Sequence, residues 1–284
     1  MSHADRAVRV EDFKGIPSTL FLVLWAQYLE SKSPNGIIKD SKVIEMVDSL
    51  NYDFSKYRLS SDDILGVAIR KKIIDREIQK FISKNPNGIV VNLGCGLDTH
   101  YDFFKHTKIT WYDLDLPIVI ALRREFFPET ENHKFICRSV MDFDWTREIP
   151  KNKKVLILAE GLLPYFLEHE VKALLAHIKN QFPENELLIH ALSPWRIRLI
   201  HRELKKTSLK LGWGIRNGKD IENWLQGLHF QDEWPIFEQY PNRWSWFTRL
   251  LNSFSFMLKQ EKIIHLTCSD EKAGLNPLPS NQKF

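Results

Sequence analysis

A glycine turn and two aspartates, spaced along one stretch of the chain, could together hold a nucleoside. The apolar run Ile89-Val90-Val91 leads into the turn Gly94-Cys95-Gly96, and about 20 residues later a second apolar segment carries Asp113 and Asp115 at its end. Glycine lets the backbone approach a ligand where a Cβ would clash. A carboxylate at the end of the next strand can accept hydrogen bonds from two ribose hydroxyls. This arrangement is typical of a nucleoside site in a doubly wound α/β sheet.

The spacing of the glycines in the turn indicates which kind of nucleoside cofactor the site would bind. A dinucleotide fingerprint has a third glycine that allows a helix to pack closely on the strand. Here that position is Thr99. The turn therefore favours S-adenosylmethionine and methyl transfer over NAD and hydride transfer, and an NAD-type oxidoreductase remains the alternative.

Apolar runs and helical patterns alternate along the chain after residue 88. Strands are expected near 89–93, 109–113, 135–137, 155–159 and 187–191, with 230–237 and 262–267 as a closing antiparallel pair. The pattern predicts an α/β, doubly wound, mostly parallel seven-stranded sheet. Residues 1–85 form a predicted helical cap, 86–269 the methyltransferase-type core with a helical lid insertion at about 194–218, and 270–284 a poorly ordered tail.

The composition and charge of the chain limit which binding partners and which cellular compartment the sequence predicts. The 284 residues carry a formal charge of +4, scattered along the chain, which gives no reason to expect a nucleic-acid partner. Three widely spaced cysteines indicate neither a disulfide scaffold nor a zinc cluster, so no metal is expected. No segment has transmembrane length. We therefore expect a cytoplasmic protein with no membrane partner, acting as a monomer or homodimer on a small molecule.

Several motifs in this order resemble the leucine carboxyl methyltransferase-like family, and especially its bacterial branch of tetracenomycin-type polyketide O-methyltransferases. They are A-I-R-K-K-I-I-D, V-V-N-L-G-C-G-L-D-T, W-Y-D-L-D-L-P, S-V-M-D-F-D-W, L-A-E-G-L-L-P-Y-F and G-W-G-I-R-N-G. The resemblance covers nearly the whole chain. It implies a class I, Rossmann-like methyltransferase that uses S-adenosyl-L-methionine as its cofactor.

The resemblance also assigns residues to the cofactor. Arg70 would bind the methionine carboxylate, with Glu160 near the methionine amine. Asp115, or alternatively Asp113, would bind the ribose. The remaining assignments are Gly94 and Gly96 beneath the cofactor and Val140 and Met141 beside the adenine.

The acceptor site is less constrained by these motifs. The family usually has arginine where His100 stands and methionine where Pro164 stands, and its first helix often reads Ala-Arg where this chain has Gln27 and Tyr28. A hydroxyl acceptor would need a base, for which the candidates are His100, Tyr165 and His190. The apolar helix 19–30 and the tryptophans that follow the core strands predict a closed, aromatic-lined pocket. Its candidate residues are Gln27, Tyr28 and Trp195, with Trp213 and Trp246 in similar segments.

The predicted function is O-methylation of a carboxylate or of a phenol or other hydroxyl on a small, hydrophobic, natural-product-like acceptor. A carboxylate is already anionic at neutral pH and needs no base. Methylation of a protein C-terminal carboxylate and a cofactor-binding pseudoenzyme are further alternatives.

Overall fold

The computed structural model describes residues 13, 15, 18–203 and 210–269. The helices are α1 (Thr19–Lys32), α2 (Ser41–Ser49), α3 (Ser61–Lys84), α4 (His100–Phe104), α5 (Pro117–Arg123), α6 (Glu168–Gln181), α7 (Pro194–Glu203), α8 (Trp246–Leu251) and α9 (Ser255–Leu258). The strands are β1 (Ile89–Leu93), β2 (Thr110–Asp115), β3 (His133–Cys137), β4 (Val155–Ala159), β5 (Asn185–Leu192), β6 (Leu228–Pro235) and β7 (Glu261–Cys268). The predicted tail and residues 204–209 of the predicted lid lie outside the described residues.

The seven strands form one sheet in the order β3-β2-β1-β4-β5-β7-β6. Strands β1 to β5 pair in parallel, and β7 is antiparallel to both β5 and β6. The doubly wound, mostly parallel seven-stranded sheet is therefore confirmed, as is the closing antiparallel pair. The order reverses between β1 and β4, which places a crevice for ligands at the carboxyl ends of these strands.

Both faces of the sheet are covered by helices, which explains the unbroken apolar runs. Val91 of β1 belongs to a core that includes Val171 and Leu174 of α6. Its neighbour Val90 belongs to a second core that includes Ile69 and Ile73 of α3. Alternate side chains of one strand point to opposite faces, so β1 must be apolar at successive positions.

Side-chain caps fix the starts of two helices in the N-terminal region. The Asp40 carboxylate caps α2, because it accepts hydrogen bonds from the backbone of Lys42 and Val43. Helix α3 begins at Ser61, since Ser60 and Asp63 form a reciprocal capping box. Among the described helices, none is both long enough and apolar enough to cross a bilayer. The division into a cap and a core stays a prediction.

Asp113 lies at the centre of a buried polar cluster that joins β1, β2, β3 and α5. Its carboxylate accepts hydrogen bonds from Asn92 at 3.0 Å and from the indole of Trp111 at 2.8 Å. Arg123 and His133 approach its other oxygen to 2.7 Å and 2.6 Å. Burial opposes ionisation of Asp113, but Arg123 and His133 outweigh that effect and hold its pKa well below the usual range.

Replacing Asp113 with alanine should destabilise the fold severely. Arg123 is fully buried and would lose its main counter-charge, a change that costs about 3–5 kcal/mol in the free energy of unfolding. Urea denaturation measures this loss. Asp144→Ala is the matched control, because the Asp144–Arg147 pair is exposed and its removal should cost about 0.5 kcal/mol or less. Equal losses in the two variants would contradict the structural importance of Asp113.

Candidate active site

A cavity of about 270 Å³ opens at the carboxyl edge of β1, β2 and β4. Its polar part is bounded by the turn after β1, the end of β2 and the end of β4. Its apolar part is bounded by α1 and by the 3-10 helix at Leu163–Tyr165. The lining residues are Thr19, Leu20, Val23, Leu24, Gln27, Arg70, Gly94, Cys95, Gly96, Leu97, Asp98, Leu114, Asp115, Leu116, Val119, Arg138, Ser139, Val140, Glu160, Gly161, Leu162, Tyr165 and Phe166.

The turn after β1 requires glycine at two positions. Gly94 and Gly96 have φ angles of 66° and 51°, in the left-handed region that other residues rarely adopt. A Cβ on Gly94 would also lie 2.8 Å from the Leu162 side chain. The bare turn thus leaves open the space between β1 and β4 in which a ligand could lie.

Asp115 extends from the end of β2 to the turn. Its Oδ2 accepts a hydrogen bond from Gly96 N–H at 2.8 Å, and its Oδ1 accepts one from Leu116 N–H at 2.7 Å. A carboxylate has about four acceptor positions, so further acceptor positions remain for a ligand. Burial raises the pKa of Asp115 to about 6, although the two backbone donors favour the ionised form. Asp113 does not line the cavity, because its carboxylate belongs to the buried cluster below the turn.

Arg70 and Glu160 form a buried ion pair at the opposite end of the cavity. Nε of Arg70 donates to Oε1 of Glu160 at 2.6 Å, and Nη1 lies 3.8 Å from Glu261. Neither terminal nitrogen of Arg70 hydrogen-bonds to another described residue. Burial opposes the charge on Glu160, but Arg70 and His100 outweigh it and lower the Glu160 pKa. The guanidinium therefore presents free donors to the cavity from a fixed position.

His100 lies behind Glu160 and does not line the cavity. Its Nδ1 is 2.5 Å from Asp75 and its Nε2 is 2.9 Å from Glu160, and the residue is 1% exposed. Burial and Lys71 lower its pKa, but the surrounding carboxylates, above all Asp75, raise it to about 10. At neutral pH both ring nitrogens therefore carry protons, so His100 is a buried cation rather than a base facing an acceptor.

The other predicted residues divide between the cavity and its surroundings. Gln27, Val140 and Tyr165 line the cavity, whereas Met141 packs against the core beside it. His190 is not brought to the cavity, because it is buried on β5 with Nε2 2.9 Å from Glu261.

The predicted aromatic pocket is not assembled from the residues expected. Tyr28 lies on the other side of α1, stacked on Trp25 and donating to Asp48. Trp195 is at the surface against Phe256. Trp213 is in the core and Trp246 is exposed. The aromatic side chains that do line the cavity are Tyr165 and Phe166.

Sequence reasoning assigned no role to several lining residues that its own motifs contained, among them Asp98 and Gly161. Asp98 follows the glycine turn, accepts a hydrogen bond from Asn92 at 2.6 Å and has its pKa raised, chiefly by burial. Gly161 follows Glu160 with a φ of 65°, and a Cβ there would meet nothing within 4 Å. The signal that could have identified Gly161 was its place directly after an acid, Glu160, at the end of a strand.

The fold and the cavity together define a Rossmann-like methyltransferase. The family model for leucine carboxyl methyltransferase matches residues 21–179, and the chain belongs to that family. It is 31% identical over 227 residues to the tetracenomycin polyketide synthesis O-methyltransferase TcmP of Streptomyces glaucescens, covering 79% of this chain and 84% of that protein.

Two further comparisons agree with the family and the fold. The chain is 26% identical over 250 residues to the S-adenosyl-L-methionine-dependent methyltransferase dpfgK of Gibberella zeae, with 80% and 84% coverage. A solved structure of a candidate methyltransferase from Thermobifida fusca has the same fold, with a TM-score of 0.60 at 13% identity over 91% of this chain and 97% of that one. The chain is thus an S-adenosylmethionine-dependent methyltransferase, and the NAD-type oxidoreductase alternative is wrong.

The protonation of His100 predicts how stability depends on pH. A folded-state pKa of about 10, above the ordinary value of about 6.5, stabilises the fold fully below about pH 6.5. That stabilisation is lost as the pH rises toward 10. Between about pH 7 and 9 the free energy of unfolding should fall about 2 kcal/mol more in the wild type than in His100→Gln. Urea denaturation at both pH values measures this difference, and parallel slopes would show that His100 is neutral when folded.

Proposed function

We propose that this methyltransferase methylates an oxygen, foremost a carboxylate, on a small hydrophobic acceptor. The observation that carries the proposal is one cavity with two chemically distinct parts. Asp115 and Arg70 mark its polar part, and the α1 face marks its apolar part. The volume of about 270 Å³ lies near the lower bound of the ~300–1,000 Å³ range of small-molecule pockets.

The polar part has the groups that S-adenosylmethionine needs. Asp115 has acceptor positions for the ribose hydroxyls, and Arg70 has free donors for the methionine carboxylate, a pairing that a planar guanidinium makes well. Glu160 would face the amine, Gly94 and Gly96 leave room for the nucleoside, and the bound cofactor supplies a methyl group already activated by its sulfonium.

The apolar part is formed by one stripe of α1. Leu20, Val23, Leu24 and Gln27 recur at helical spacing, and Gln27 is 2% exposed. No described residue hydrogen-bonds to the Gln27 side-chain amide. Because Gln27 lines the cavity, its amide can hydrogen-bond to a polar group of the acceptor, and we expect the acceptor to be oriented by this contact.

The ionisable residues of the lining favour an acceptor that ionises by itself. No described histidine lines the cavity, and His100 is protonated with both its nitrogens engaged. Of the three predicted bases, Tyr165 is the one that lines the cavity, and its hydroxyl donates to Thr19 at 3.4 Å. For an acceptor that is already anionic, the chain contributes mainly alignment of the acceptor oxygen with the methyl group, which is catalysis by positioning. A carboxylate or an acidic phenol meets this requirement.

A panel of acceptors tests the proposal. With labelled S-adenosylmethionine, matched aryl or alkyl carboxylic acids should accept the methyl group, and the corresponding primary alcohols should not. Exclusive methylation of alcohols, or of a peptide C-terminus, would contradict the assignment. Binding of S-adenosylhomocysteine without transfer to any member would support the pseudoenzyme alternative.

The affinity for S-adenosylhomocysteine should depend on the protonation of Asp115. The ribose hydroxyls donate to the carboxylate, so binding favours the ionised form and releases a proton below pH 6. With a free pKa of about 6, affinity should fall about tenfold between about pH 7.5 and 5. Asp115→Asn should bind about 1.5–3 kcal/mol more weakly at pH 7.5, with no such dependence on pH. Titration calorimetry measures both, and a wild-type curve as flat as the variant's would remove Asp115 from the site.

Gln27→Ala should impair transfer while leaving the cofactor bound. Removing the amide leaves the acceptor's polar group unpaired, so we expect kcat/KM to fall about tenfold, with the affinity for S-adenosylhomocysteine unchanged within about twofold. Tyr28→Phe is the matched control, because Tyr28 is the next residue of α1 and does not line the cavity. Equal activity of the two variants would place the acceptor elsewhere.

A further inference from the structure

Exposed apolar side chains are concentrated on one part of the surface. Of the nine large hydrophobic side chains that are exposed in the described part of the chain, six lie in or between α7, α8 and α9. Trp246 is 76% exposed and Phe254 is 59% exposed. We call these six residues the aromatic surface: Trp195, Trp246, Phe247, Leu250, Phe254 and Phe256. Contact between Trp195 and Phe256, with ring centroids 5.4 Å apart, joins α7 to α9 within it.

Helix α8 has the reverse orientation of an ordinary surface helix, because its polar side packs on the protein and its apolar side faces outward. Its polar side binds the protein, because Ser245 and Thr248 both donate to the carboxylate of Asp62 at 2.6 Å and Asn252 donates to a backbone carbonyl at 3.2 Å. Its apolar side, with Trp246 and Leu250, faces away from the protein. A surface helix normally buries its apolar side. The anchors at Asp62 therefore hold an apolar face toward the outside, where something apolar must cover it.

Cations outnumber acids on the segments that carry the aromatic surface, although the Asp62 carboxylate binds α8 and Glu238 is exposed beside α9. Residues 241–260 contain three cationic residues and no aspartate or glutamate, and α7 contains three arginines and a single acid, Glu203, at its end. Arg198, Arg202, Arg249 and Lys259 are exposed. A symmetric contact with a second copy would place these cations opposite one another. Large aromatic side chains surrounded by cations are instead typical of proteins that lie on anionic bilayers.

We propose that the aromatic surface binds the surface of an anionic lipid bilayer, with the aromatic side chains inserted at the headgroup level. It lies at the carboxyl edge of the sheet, because α7 follows the end of β5 and α9 precedes β7, which runs antiparallel to β5. The cavity opens at the same edge. Ile197 of α7 packs in a cluster with Tyr165, a cavity-lining residue.

Vesicle flotation with the full-length protein tests the proposal. The protein should float with phosphatidylcholine vesicles that contain about 30% phosphatidylglycerol, but not with phosphatidylcholine alone, and added salt should weaken the binding. Arg249→Glu/Lys259→Glu and Trp246→Ser/Phe254→Ser should each reduce binding at least about tenfold. Lys108→Glu/Lys153→Glu is the charge-matched control, since both lysines are exposed at the opposite edge, before β2 and β4.

The variants must keep the wild-type melting temperature and affinity for S-adenosylhomocysteine, which shows that they remain folded. The proposal would be overturned if the wild type did not float, or if the variants of the aromatic surface floated as well as the control. Sedimentation equilibrium adds a second decision. A wild-type dimer that Trp246→Ser/Phe254→Ser converts to a monomer, together with no lipid binding, would assign the surface to a second copy of the chain.

Discussion

The polar part of the cavity depends on the ion pairs that meet at the Glu160 carboxylate. Arg70 approaches one oxygen from α3, and His100 approaches the other from the helix after the glycine turn. Asp75 of α3 then binds the second nitrogen of His100, so α3, α4 and the end of β4 are fixed to one another. Isolated charges would not remain ionised at this depth. Each group keeps its charge only because its partners are present, and the position of Arg70 follows from that.

The same requirement explains how histidine occupies a place where the family usually has arginine. What the carboxylates of Asp75 and Glu160 need is a cation with donors on two sides, and a protonated imidazole provides both. The network continues through Lys71, whose Nζ hydrogen-bonds to no described residue but lies 3.5 Å from Asp75 and 3.6 Å from Asp40. Asp40 in turn caps α2 and accepts a hydrogen bond from Thr99. The N-terminal helices are thereby linked to the turn that would hold the nucleoside.

The sequence was most informative where function depends on local structure. A glycine turn after an apolar strand has few alternatives, so the fold and the positions of Gly94, Gly96 and Asp115 could be predicted. The sequence left Asp113 as an alternative to Asp115, and only tertiary structure separates them. They lie two residues apart on one strand, and Arg123 and His133, which hydrogen-bond to Asp113 and not to Asp115, come from later elements. The sequence could not predict the role of His100 either, because the protonation of this side chain depends on Asp75, 25 residues earlier in the chain.

Periodicity shows which residues share a face of a helix, but not which face points inward. For α1, apolar around most of its circumference, the pattern could not distinguish Gln27, in the cavity, from Tyr28, which stacks outside it. For α8 the usual assumption that the apolar side is buried is wrong, because Asp62 binds the polar side. One partly exposed carboxylate with three hydroxyl or amide donors thus decides the orientation of the helix. The apolar residues are left to a partner outside the chain, and the excess of cations over acids on the segments that carry them makes an anionic surface the partner that electrostatics favours.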